Sequence, residues 1–123
     1  MKKLALLRIQ AIFYILAGLY HFINPEFYYK LIPDYLPFLE LINIVSGGVE
    51  IALGTGLFFK TTRKWSAYGI VLMLIAFIPS HIYFIQVGGC VEDGLCVPLI
   101  IGWIRLVLVH PLLIWWAWIF RND

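Results

Sequence analysis

The stretch Asn43-Ile44-Val45-Ser46-Gly47-Gly48-Val49-Glu50-Ile51-Ala52-Leu53-Gly54 places a carboxylate in the middle of a run that otherwise reads as membrane-spanning. Residues 39–59 are nearly all apolar apart from Glu40 at the edge and Glu50 at the centre. The run is long enough to cross a hydrocarbon core of ~30 Å. A charge at the depth of Glu50 costs ~2.5–3.5 kcal/mol even on the milder insertion scales, so it needs a partner or a protonated state. Asn43, Ser46, Gly47, Glu50, Gly54 and Leu57 recur at steps of three and four and therefore share one helical face. That face is expected to look into a bundle. Gly48, Ala52 and Gly56 form a small-xxx-small stripe on the opposite side, suited to the close approach of another helix.

Composition points the same way. Hydrophobic residues make up 63% of the 123 residues and charged residues 13%, against ~45–50% and ~25% in soluble domains. Mean hydropathy is +0.92. The length suits one domain, residues 1–123, and the class is integral membrane. A formal net charge of +2, with the basic residues at segment ends, gives no nucleic-acid surface. The apolar run that follows Met1-Lys2-Lys3 is too long for a signal peptide, carries Arg8, and lacks a small-x-small cleavage site. It is read as a retained helix.

Working outward, spans are expected at about residues 4–23, 39–59, 65–87 and 97–120. Between the first two, Asn24 as N-cap, Pro25 at N1 and Glu26 in the first turn mark the start of a short helix that Pro33 ends. Its aromatics suit an interfacial position over the mouth of the bundle. Lys60-Thr61-Thr62-Arg63-Lys64 reads as a tight basic connection. Pro79 is expected to kink the third span, and Trp115-Trp116-Ala117-Trp118 forms an aromatic belt at the end of the fourth. Lys2, Lys3, Lys60, Arg63, Lys64 and Arg121 fall on one side, so both termini are expected to be cytoplasmic.

Depth counted at ~1.5 Å per residue from the non-cytoplasmic ends puts His21 ~3–5 Å, His81 ~9 Å, Arg105 ~12 Å and Glu50 ~16 Å deep. Each span thus carries one ionisable group in the outer half. Glu50 and Arg105 are close enough in depth for a bidentate ion pair, which could line a ligand pocket or simply pin one helix register. His21 could equally be an interfacial residue. His110 lies five residues beyond Arg105, roughly 140° around the helix, and should face elsewhere unless Pro111 twists it back. Cys90 and Cys96 lie in the loop opposite the termini, where a structural disulfide, a redox-active pair and metal ligation are the alternatives. No nucleophile elbow, phosphate loop or dinucleotide fingerprint occurs.

Taken in order, several pieces resemble the DoxX-like family of small membrane proteins. They are Ala17-Gly18 to His21-Phe22, Ile32-Pro33 to Leu36-Pro37, Ser46-Gly47-Gly48-Val49-Glu50, Arg63-Lys64, Pro79-Ser80-His81-Ile82-Tyr83 and Trp103-Ile104-Arg105-Leu106. The resemblance implies an all-α bundle of four transmembrane helices, with His21, Glu50, His81 and Arg105 at motif positions. It also implies association with redox chemistry. His81 stands where an Asn is common, and His110-Pro111 where a Pro-x-Gln-like stretch is common.

The expected protein is therefore a polytopic membrane protein, with a short interfacial helix between spans one and two, in the bacterial inner (plasma) membrane. Its ligand-binding residues are His21, Ser46, Glu50, His81 and Arg105, Cys90 and Cys96 are its disulfide pair, and no metal site is expected. A quinone is the candidate cofactor, or another small lipophilic molecule takes that place. Besides the lipid bilayer, the candidate partner is a membrane protein or a second copy docked on Gly48, Ala52 and Gly56. The alternative function is a non-enzymatic accessory subunit or assembly factor in which Glu50–Arg105 is structural. A transporter would need a polar path through the inner half, where Arg8 and His110 are the ionisable candidates.

Overall fold

Residues 2–123 are described by a computed structural model. The chain forms α1 (Lys2–Ile23), α2 (Pro25–Tyr29), α3 (Leu39–Leu57), α4 (Lys60–Ala76), α5 (Ile78–Gln86), α6 (Leu99–Ile104), a π-helical turn (Arg105–Val109) and α7 (His110–Trp118). Four helical segments are long and apolar enough to cross a membrane: Lys2–Ile23, Leu39–Phe58, Lys60–Gln86 and Leu99–Trp118. Leu16, Leu72, Ile100 and Trp115 on these segments are all at least 60% exposed. An apolar surface of this extent suits contact with hydrocarbon rather than water.

Segment boundaries depart from expectation where side chains cap backbone. The basic stretch Lys60–Lys64 is the opening of α4, and only Phe58 and Phe59 connect it to α3. Arg63 makes this possible by donating from Nε to the Leu57 carbonyl at 2.9 Å, supplying a donor that the end of α3 lacks. The third span breaks at Phe77, two residues before Pro79, as a residue without an N–H requires. Asn24 does not cap α2 with its side chain; its Nδ2 donates to Tyr20 Oη at 3.1 Å instead. The α2 helix stops at Tyr29, before Pro33, because the amides of Leu31 and Ile32 both turn back to the Tyr28 carbonyl. That turn buries Leu31 against Phe84 and Val91.

Spans pack in chain order, and α1 lies closest to α3. An added Cβ at Gly18 would stand 2.7 Å from the Gly47 carbonyl oxygen, and one at Gly47 would stand 2.7 Å from His21 Cβ. Only glycine permits that approach. The buried core occupies the end that bears the termini, where Leu7, Tyr14, Leu57, Ile70, Leu74 and Phe120 meet. There Lys3 and Asp123 close the first span onto the fourth at 3.0 Å. A second, smaller cluster of Leu31, Phe84 and Val91 sits at the opposite, loop end. Cys90 and Cys96 are joined by a disulfide that closes the loop carrying Val91. Between the two clusters the interior turns polar.

Candidate functional site

The polar interior surrounds a cavity of about 340 Å³ whose walls include His21, Tyr28, Ser46, Glu50, His81 and Arg105. All five residues expected to bind a ligand thus face one space, joined by Tyr28 of α2. The α2 segment and the turn after it (Leu31, Ile32, Pro33, Leu36) form its roof. Ser80 Oγ ties down that roof by donating to the Leu31 carbonyl at 2.6 Å.

Glu50 does not pair with Arg105. Its Oε2 lies 3.2 Å from His21 Nε2, with both side chains more than 90% buried. The expected pairing fails because residue counting ignores side-chain direction. Helical side chains lean toward their own N-terminus, so His21 on α1 reaches deeper while Glu50 on the oppositely running α3 reaches outward. The glycine contact between α1 and α3 brings them within reach. Asn43, two turns before Glu50 on the same face of α3, fixes the imidazole: its Nδ2 donates to the His21 carbonyl at 2.9 Å, turning Oδ1 toward His21 Nδ1 at 2.7 Å. Nδ1 must then be the donor of that bond. Tyr28 stacks on the ring, with centroids 3.5 Å apart at 14°. Burial, then the neighbouring Glu50 and Tyr20, pushes the Tyr28 phenol up to about 12, so it stays protonated.

Arg105 instead lies with Cζ 5.0 Å from the centre of the Phe84 ring, a cation–π contact. Its Nη1 is buried and without a partner, and so, for lack of alignment with His21, is Glu50 Oε2. Buried donors and acceptors are ordinarily satisfied. The two residues that carry these atoms both line the one cavity.

His110 rejoins this neighbourhood through the π-helical turn. Its N–H bonds the Arg105 carbonyl, an i→i+5 step wider than an α-turn. His110 is buried, its ring 4.5 Å from that of His81. Its Nε2 donates to the carbonyl of Leu74 in the last turn of α4. Sequence spacing assumed an unbroken α-helix and turned this residue away. Gln10, to which sequence spacing gave no role, and Tyr14, expected on the face of His21, also lie buried on α1. With Gly18 and His21 they form a buried stripe along α1, and neither the Gln10 amide nor the Tyr14 hydroxyl has a partner among the described residues. Steps of four, four and three along α1 were the available signal.

Of the expected docking stripe, Gly48 and Ala52 are exposed, and a Cβ on Gly48 would meet nothing within 4 Å. Gly56 is covered by Ser66 of α4 and belongs to the internal packing.

A family described as "Domain of unknown function (DUF8561)" matches residues 10–121. The chain belongs to the DUF8561 family. The match takes in the last three apolar segments, the first from residue 10 onward, and every residue named above on the cavity wall. No curated protein and no solved structure matches the chain.

Proposed function

We propose that this chain is a DoxX-like integral membrane protein, redox-associated, that holds a small lipophilic molecule such as a quinone in the cavity beneath α2. The proposal includes insertion in the bacterial inner membrane, both termini in the cytoplasm and α2 at the outer interface. The cavity then lies in the outer half of the bilayer. One observation carries this reading: Glu50 and Arg105, each with a buried polar atom that has no hydrogen-bond partner among the described residues, line a single cavity of about 340 Å³ beneath an aromatic roof. Pockets of this kind, apolar walls with a few convergent polar groups, are the usual form of a small-molecule site. Arg105 supplies a donor to a ligand oxygen, and the His21–Glu50 pair supplies a proton that it can give or take.

Mass spectrometry of small molecules that co-purify after gentle extraction tests it. A lipophile present with the wild-type chain and missing from Glu50→Gln supports the site. An empty, folded wild type contradicts it.

A second reading is an accessory subunit docked by α3. It is favoured by the exposure of Gly48 and Ala52 on one helical face. In that case Ala52→Leu loses a cross-linked partner in native membranes while the Glu50-dependent ligand stays.

A further inference from the structure

The charge of the cavity narrows what it can hold. Glu50 is the only acidic residue on its wall, and Glu50 is committed to His21. His21 Nδ1 already donates to Asn43. Without a further proton, Nε2 would face a carboxylate oxygen at 3.2 Å, acceptor against acceptor, in a buried setting. One proton must therefore reside on the pair, as imidazolium and carboxylate or as imidazole and carboxylic acid, and in either form the pair has no net charge. Arg105 keeps its proton in proteins. It makes no ion pair among the described residues, its flank is taken by Phe84, and its buried Nη1 is free. Any proton on His81 adds to the same sign. The cavity therefore carries an uncompensated positive charge.

We propose that the ligand is a lipophilic anion, an oxyanion head on an apolar chain, with the Arg105 guanidinium as the head's counter-charge and donor. This rests on the pocket reading above and prefers a fatty carboxylate or a lipid phosphate to a neutral quinone. A buried guanidinium without a counter-ion is costly, and a ligand that supplies the anion removes that cost where a neutral one does not.

Radiolabelled laurate binding to the full chain in phosphatidylcholine nanodiscs tests this, with methyl laurate and decylubiquinone as neutral competitors and phosphatidylglycerol added as a phosphate-bearing lipid. Expected is saturable laurate binding that Arg105→Gln weakens by at least about tenfold and Arg105→Lys largely restores. Both variants should elute as the wild type does, which separates lost binding from lost folding. Methyl laurate should compete at least about tenfold less well than laurate. Competition by phosphatidylglycerol would assign the head to a lipid phosphate, and its absence would assign a free carboxylate; the anion stands in both cases. Decylubiquinone or methyl laurate competing as well as laurate, with Arg105→Gln unaffected, would overturn the anionic ligand while leaving the pocket. No saturable binding of any probe would overturn the pocket reading itself.

Discussion

Gly47 and Gly48 adjoin in the chain and differ entirely in surroundings. A methyl group on Gly47 would meet His21 Cβ at 2.7 Å and Phe22 at 2.9 Å, whereas one on Gly48 meets nothing within 4 Å. Gly47→Ala is expected to destabilise by about 1–3 kcal/mol, since α1 and α3 must separate. Gly48→Ala is expected to be neutral or stabilising by up to about 1 kcal/mol through helix propensity. Thermal unfolding of the two variants in one detergent decides this. The face bearing Asn43, Ser46, Gly47 and Glu50 was legible in the sequence because helical spacing is nearly independent of context. The partner of Glu50 was not. It depends on how near α1 comes to α3 and on the lean of two side chains, and neither quantity is written in residue spacing. Gln10 escaped notice for a related reason: a lone amide in an apolar run gives no charge signal.

At the scale of elements, the third and fourth spans are irregular where they face each other. Pro79 breaks the third at Phe77, and the π-helical turn widens the fourth from Arg105 to Val109. His110 bridges the two irregularities through the Leu74 carbonyl. His110→Ala should leave that carbonyl with only the Phe77 N–H at 3.2 Å and lower stability by about 1 kcal/mol. It should also loosen the wall that holds His81 and Arg105. Hydrogen exchange of residues 74–82 is expected to speed up in the variant, and unchanged exchange would argue against the bridge. The kink was legible because proline has one consequence in a helix. The π-turn was not, since a single residue of underwinding leaves no compositional trace and upsets any prediction made from 100° steps.

For the whole molecule, four apolar segments of at least 20 residues follow from composition alone, and the largest boundary shift, at the start of the third, falls where Arg63 caps the end of α3. Orientation in a bilayer is a separate matter, set by charge. The basic residues Lys3, Lys60 and Arg63 border one depression at the terminus-bearing end. Glu92 and Asp93 line another at the loop end. Asp93→Cys is therefore expected to react with an impermeant maleimide on intact cells, and Lys64→Cys only after permeabilisation. The reverse pattern would invert the topology and put the cavity in the cytoplasmic half.

On the proposed function, the space between His21, Glu50, His81 and Arg105 receives a lipophilic molecule. Photolabelling of native membranes with a small diazirine lipophile, followed by peptide mapping, tests it most directly. Modification is expected at the cavity wall, at Ile42, Ser46 and Phe77, and should fall in Glu50→Gln. Label confined to outward-facing residues such as Leu16, Leu72 and Ile100, unchanged in the variant, would show that the cavity takes up no lipophile.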